Sequence, residues 1–477
     1  MRPFLRSLAC LTFALLAACD GGGSGRFDVI LVGDEKAALS PEPPFSPAAD
    51  LLREATASGL VGLDAEGRVR PDLADRWIVT DDGLSYIFRF ENAAMPGSEP
   101  LTAREVRAAL REAIEALDGT GLGLDLTVID GIYARTNQVI EIRLKTAMPE
   151  FLQLLADPAL ALRLEARQDR VLDLEADGSA LTLSTYTENP RDAETMDLRI
   201  AGPKEAVQRF QRGEARLLLA GGIDALPHVE KGGLLRGAIR LDPVTGLFGL
   251  AIADREGFLS RPSNREAISM AVDRQALIAP FGIGGWSPRT RLVPEGPLGT
   301  QQPAGRWAAL TMEERQNLAA QRVAGWVASE GAIAPLSIAL PTGTGGDILF
   351  RRLSADLSRI GLGARRVKLD EDADLTLVDK VAWMDRPEWY LHRLDCKVTK
   401  GLCSQEADAL VAQAIAEPDP ATRQQLLAEA TAALTDLDSF ISFGPPIRFS
   451  LVRGGVDGFA VNRWGFHPLS QLFADPT

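Results

Sequence analysis

Two spacings of apolar residues alternate along this chain. Between 137 and 144 they recur every second residue, with Ile140, Ile142 and Leu144 on one face and Glu141 and Arg143 on the other. That period predicts a half-buried strand. Residues 77–80 and 84–90 flank Asp82-Gly83, and glycine's tolerance of positive φ predicts a hairpin there. Elsewhere the period is helical. Thr102 and Glu105 read as a capping box ahead of Val106, Leu110, Ile114 and Leu117. Ser263 and Glu266 read as a second one, opening a helix to about Ile278. Phe350, Leu353, Leu357 and Ile360 predict a helix over 347–360 that Gly361 stops. Asp419 at the N-cap and Pro420 at N1 start a further helix to about Leu434. Short apolar runs at 336–340 and 374–378 bracket the 347–360 helix, and strand, helix, strand in succession predicts a parallel sheet with a crossover. Breaks rich in Pro and Gly fall at 41–47, 280–305 and 443–446.

The first segment follows neither period. Arg2 and Arg6 precede an apolar stretch from Leu8 to Ala18, shorter than the roughly twenty residues a spanning helix needs but suited to an export signal. It closes on Leu16-Ala17-Ala18-Cys19, which looks like a bacterial lipobox, with Cys19 as the lipidated residue and residues 1–18 removed. A tether over 19–26, rich in Gly and Ser, follows. The expectation is a bacterial envelope protein, in the periplasm or at the cell surface, held to a membrane by acyl chains.

Charge and composition narrow the chemistry. Asp plus Glu number 65 against 51 Lys plus Arg, a formal net charge of −14. Losing residues 1–18 removes two arginines and no acid, so the balance becomes still more acidic. Nucleic acid is therefore not the expected partner. Three histidines and four cysteines give a metal centre little to draw on. With Cys10 in the leader and Cys19 at the lipid site, Cys396 and Cys403 remain, and an oxidising compartment predicts a disulfide between them. A loop that small contributes about 2–3 kcal/mol. His228, His392 and His467 lie far apart in sequence and show no ligand spacing. The chain holds no G-x-S-x-G elbow and no H-E-x-x-H pair, so no enzyme is expected, and neither a cofactor nor a metal. The run 342–346, Thr-Gly-Thr-Gly-Gly, lacks the Lys of a phosphate loop and reads as a helix entry.

Several stretches together resemble the dipeptide- and oligopeptide-binding receptors of ABC importers, extracellular solute-binding protein family 5. GLVGLDAEGRVRPDLADRWIVTDDGLSYIFRF (59–90) is similar to that family's "GL…G…P.LA..W" run and "DDG..Y.F" hairpin. LTAREV (101–106), VIEIRLKTAMPEFLQLLADPAL (139–160), SNREAISMAVDRQALI (263–278), LSADLSRIGLGARRV (353–367) and DPATRQQLLAEATAAL (419–434) follow in the family's order. The resemblance implies an α/β, two-lobed periplasmic-binding-protein fold of type II with an extra small domain, its mixed sheets joined by a two-strand hinge. It divides the chain into lobe I (27–45, 165–246 and 445–477), the small domain (46–164) and lobe II (247–444). The crossings between lobes fall near 246–253 and 442–447. The implied function is capture of a short peptide or other small solute between closing lobes, by a monomer that delivers it to ABC permease subunits. An envelope interaction or sensor protein on the same fold is the alternative.

Departures from the family pattern bear on the ligand. GSALTLSTY (178–186) lacks the second Gly and the Pro of the family's "G.GPY" turn. In VAWMDRPEWYL (381–391), Arg386-Pro387 stands where the family's amine-holding Asp-Pro is expected. Either Asp385 serves from one position earlier, or Arg386 turns the preference toward a carboxylate, which its fork suits. Aromatic and charged residues together are the usual make-up of a small-molecule cleft. The candidate ligand residues are thus Trp383, Asp385, Arg386, Trp389 and Tyr390, with Trp286 from the loop 282–290.

Overall fold

The computed structural model describes residues 26–90, 100–164, 172–177, 180–185, 193–230, 237–294, 296–297, 306–307 and 309–473. The export signal, Cys19 and residues 20–25 lie outside the described residues, as do parts of the turn at 178–186.

The chain begins with strand β1 (Arg26–Val32) and helices α1 (Glu35–Ala38) and α2 (Pro47–Thr56). A ribbon of β2 (Val61–Leu63) and β3 (Val69–Pro71) follows. Next comes a four-stranded sheet of β4 (Arg76–Val79), β5 (Ser85–Arg89), β6 (Ile129–Thr136) and β7 (Val139–Leu144), in the order β4-β5-β7-β6. Helices α3 (Ala103–Glu115) and α4 (Gly121–Asp125) lie between β5 and β6, and α5 (Phe151–Leu155) follows β7. The expected hairpin is β4–β5, antiparallel, with Gly83 at φ 68° and the Asp82 carboxylate accepting from the Thr80 hydroxyl and the Leu84 amide. The Thr102 capping box forms as read, and Val106 and Leu110 bury against the sheet. In β7 the apolar residues turn inward as expected, but Glu141 is buried too, because Arg135 and Arg143 both ion-pair with it.

The chain then returns to β1. Strands β8 (Asp173–Asp177), β9 (Ala180–Ser184) and β10 (Thr195–Ala201), helix α6 (Pro203–Gln211), and strands β11 (Leu217–Gly221) and β12 (Ile239–Leu241) complete most of a mixed sheet. β1 is parallel to both β10 and β11 at its centre.

A second mixed sheet starts at β13 (Gly246–Ile252), buried along its whole length. Helices α7 (Pro262–Ala271), α8 (Arg274–Ile278) and α9 (Met312–Glu330) precede β14 (Leu336–Leu340), α10 (Thr344–Arg359), β15 (Ala364–Lys368) and β16 (Leu375–Val381). Helices α11 (Pro387–His392), α12 (Gln405–Ala416) and α13 (Pro420–Asp436) lead to β17 (Phe440–Gly444). The order is β15-β14-β16-β13-β17, with β14 parallel to β15 and β16. Strand β18 (Phe449–Val452) then rejoins the first sheet, whose order is β12-β18-β11-β1-β10-β9-β8. Two segments therefore connect the sheets, 242–245 and 445–448. The first lies just ahead of the position read from the sequence, because 246–252 already belongs to the second sheet. Arg448 Nη1 in the second crossing donates to both carboxylate oxygens of Asp379 of β16, at 2.9 and 3.1 Å.

Two other readings change. The Ser263–Glu266 capping box does not form: α7 starts at Pro262 without a side-chain cap, and Glu266 ion-pairs with Arg306 and Arg322 instead. The helix expected to reach Ile278 breaks at Val272, and the Asp273 carboxylate caps α8 at the Ala276 amide. The Asp419-Pro420 start forms as read, the Asp419 side chain accepting from Thr422. Cys396 and Cys403 are joined, with their Cα atoms 5.1 Å apart. Among the described residues no helix is long and apolar enough to cross a membrane.

Candidate functional site

Helix α4 packs on α11 of the second half of the chain, and Glu150, just ahead of α5, reaches Arg386 at the start of α11. That interface gathers most of the charged groups of interest. Helix α2 packs on the turn at Pro158–Leu160, where the Arg53 guanidinium donates to the Pro158 and Ala161 carbonyls at 3.2 and 2.9 Å. Asp157 caps that turn through the Ala159 amide. Asp125, at the end of α4, is 4 % exposed and receives two partners from α11 and its cap. His392 Nδ1 lies 2.7 Å from one oxygen, and Arg393 donates to the other at 2.5 Å. Burial drives Asp157 up to about 6, partly offset by the Ala159 amide and the positive charge of Arg393. Asp50, in the first turn of α2, is pushed up to about 8 by burial and by the neighbouring Asp157, against the pull of Lys380 and Arg53.

A second contact between the sheets involves the Gly-rich run. Asp224, after β11, accepts from the Gly346 amide at 3.0 Å at the start of α10, and His228 lies 3.1 Å from the Thr344 hydroxyl. A side chain at Gly345 or Gly346 would overlap backbone carbonyls. The anion-attracting end of α10 is thus taken by a carboxylate of the protein itself. Burial raises the Asp224 carboxyl.

The sequence-derived candidates divide between this interface and the core. Trp383 stacks on Trp464, 6.4 Å between centroids and 9° between planes, and leans on Phe466. Asp385 is exposed, 3.5 Å from Arg463. Arg386 donates to Glu388 at 2.6 Å and reaches Glu150 of the small domain at 3.4 Å. Burial works to lower the Arg386 guanidinium, and the two carboxylates outweigh it, so it is held above its usual value. Trp389 and Tyr390 are core side chains, 2 % and 0 % exposed. The Tyr390 hydroxyl meets Thr245 of the first crossing at 3.1 Å, and burial pushes it up to about 12. Trp286 stands apart from this group, its indole donating to the Pro445 carbonyl at 3.0 Å and its ring lying on Gly444. A Cβ at residue 444 would overlap that ring. Gly444→Ala is therefore expected to cost about 1–3 kcal/mol and to shift tryptophan emission, read by urea unfolding and fluorescence.

Sequence reasoning missed Asp50, Asp125, Asp157, Asp224 and Lys380. Asp50 offered one signal, a lone acid in the otherwise apolar run PAADLL. The histidines are all spoken for, His467 by Asp242 at 3.1 Å. Among the described residues no group of three His, Cys, Asp or Glu could hold a metal.

No family model matches the chain. Over 153 residues it is 28 % identical to the glutathione-binding protein GsiB of Escherichia coli, 31 % of this chain and 29 % of that protein. Over 121 residues it is 27 % identical to the probable deoxycholate-binding periplasmic protein YgiS of Escherichia coli, 21 % of this chain and 22 % of that one. The matched stretches thus span under a third of either relative. The whole architecture aligns with the oligopeptide-binding protein OppA of Haemophilus influenzae, solved with the peptide RPPGFSPFR, at a TM-score of 0.81 over 94 % of this chain and 98 % of that one, with 14 % identity. The chain has the two-lobed oligopeptide-binding-protein fold. The seven-stranded and five-stranded sheets are joined by the two crossings described above. The likeness read from the sequence is borne out at the level of the fold.

Proposed function

We propose that this protein is the solute-binding lipoprotein of an ABC importer, a monomer tethered through Cys19, that closes its lobes over a short peptide or similar small solute and presents it to a permease. The observation that carries the reading is the fold itself, near-complete in its overlap with a peptide-bound receptor, together with two segments joining the lobes among the described residues. Few crossings let the lobes rotate as bodies. A ligand touching both lobes gains its contacts only on closure, so it shifts the population to the closed form. GsiB and YgiS, by their names a glutathione and a deoxycholate binder, agree with a small solute.

In this reading lobe I comprises 27–45, 165–246 and 445–477, the small domain 46–164 and lobe II 247–444. Trp383, Asp385, Arg386 and Trp286 are the ligand-facing candidates. Trp389 and Tyr390 fix α11 from behind, the role their burial supports. The protein binds without catalysing.

The test is to purify the full chain without refolding, release bound solute by denaturation and identify it by mass spectrometry. Adding that solute back should raise the melting temperature and reduce the radius of gyration. A chain that releases nothing, and that a broad panel of peptides and amino-acid derivatives neither stabilises nor closes, sinks the receptor reading.

A further inference from the structure

Helix α3 lies against β6, an edge strand of the four-stranded sheet. Between them is a cavity of about 410 Å³, lined by Arg107, Arg111, Ile114 and Glu115 of α3 and by residues 126 and 129–133. That volume falls in the range of roughly 300–1,000 Å³ usual for small-molecule pockets. None of Trp383, Asp385, Arg386 and Trp286 lines it.

The helical period sets out its cationic wall. Val106 and Leu110 turn into the core, while Arg107, Arg111 and Glu115 follow one another at four-residue spacing on the adjoining face. Residues so spaced are neighbours, with Cβ atoms about 5–6 Å apart, and like charges among them repel. Among the described residues neither Arg107 nor Arg111 makes a hydrogen bond or an ion pair. Arg107 is half-buried, and its Nε is wholly buried without a partner. A desolvated, unpaired charged donor is costly, and an arriving anion relieves both that cost and the repulsion.

The opposite wall is apolar. Ile114 and Ile129 are half-buried, and Leu126 and Ile132 are buried. The register of β6 slips between Ile129 and Gly131, a bulge of the kind that re-aims side chains beside binding sites. A Cβ at Gly131 would overlap the Tyr133 ring and hydroxyl, so the glycine lets that ring fold back along the strand. Arg135 and Arg143 lie over the ring, 4.6 and 5.3 Å from its centroid, and Glu141 holds both. Those two charges are thus neutralised, and Arg107 and Arg111 are the cations left facing the cavity.

We propose that this cavity is a second ligand site, for a small carboxylate with an apolar body. Arg107 and Arg111 hold the carboxylate, and Ile114, Leu126, Ile129 and Ile132 cover the body. The assignment goes beyond the receptor reading and does not depend on it. The planar fork of a guanidinium matches carboxylate geometry. Glu115 and Asp130, exposed on the same cavity, repel a doubly charged phosphate more than a singly charged carboxylate. Inorganic phosphate also brings no apolar surface to bury.

The experiment is calorimetric titration of the full chain with octanoate, octylamine and inorganic phosphate at pH 7. Octanoate is expected to bind at least about tenfold tighter than either other probe. Arg107→Gln and Arg111→Gln should each weaken octanoate about tenfold. Arg111 is exposed, so Arg111→Gln should leave the melting temperature of the ligand-free chain unchanged or slightly raised, and it carries the test should Arg107→Gln fold poorly. Asp385→Asn, at an exposed position outside the cavity, should bind octanoate as the wild type does. No octanoate binding to the wild-type chain, equal or tighter binding of octylamine or phosphate, or an octanoate affinity unchanged in Arg111→Gln overturns the second site. A loss in Asp385→Asn with none in Arg111→Gln would put octanoate elsewhere and overturns it too. Each of these failures leaves the receptor reading standing.

Discussion

Asp125→Ala is expected to lower the unfolding free energy by about 3–5 kcal/mol. The substitution removes one carboxylate that serves two cationic or hydrogen-bonding partners at once. His392 and Arg393 would lose their direct carboxylate partner, His392 almost wholly buried. Arg393 would keep its contacts to the Trp389 and Gly121 carbonyls and its place over the Trp389 ring. Because α4 and α11 are far apart in sequence, the loss also loosens a contact that holds the two halves of the chain together. Urea unfolding should show the destabilisation, and small-angle scattering should show a larger radius of gyration under native conditions. Asp125→Asn keeps acceptor capacity toward one partner and should cost less. An Asp125→Ala protein as stable and as compact as the wild type would remove this contact from the account of the interface.

The second large effect concerns pH and has the opposite sign. Asp50 is raised to about 8, and Asp157, Asp408 and Asp438 to about 6, burial being the leading cause in each. A carboxyl whose folded value exceeds its unfolded value supports the fold fully below about pH 4, where both states are protonated. That support is lost as pH rises through the folded value, since the unfolded chain gives up its proton first. The protein should therefore be more stable at pH 5 than at pH 8, with Asp50 carrying the part lost between 6 and 8. Asp50→Asn removes that part. The variant should gain a few kcal/mol at pH 8 and should match the wild type near pH 4, by urea unfolding across the range. A variant less stable than the wild type at pH 8 would mean that Asp50 is ionised and already partnered there.

Much of the local structure was legible because its causes are local. The Thr102 and Asp419 caps act on amides within three residues, and the Asp82-Gly83 turn needs only glycine's positive φ. The Ser263 box has the same spelling as the Thr102 box, yet Glu266 was recruited by Arg306 and Arg322, about 40 and 56 residues on. Strand β15, Ala-Arg-Arg-Val-Lys, shows no apolar alternation and was not read as a strand. Pairing to β14 at the sheet edge makes it one. Likewise the 383–390 run was recognisable as an aromatic and charged cluster, while its division into Trp389 and Tyr390 inside and Asp385 outside was not.

By itself the sequence determined the Thr102 and Asp419 caps, the hairpin, the crossover order, the disulfide pair and the likeness that pointed to two lobes. All of these depend on neighbours in the chain or on motif order. Only the tertiary structure decided which of 65 acids matter. Asp125 meets residues 267 and 268 positions away, and Asp50 feels the charge of the distant Lys380 without pairing with it. Desolvation and compensation of a charge are properties of what surrounds it, and for these residues the surroundings arrive only when distant segments pack.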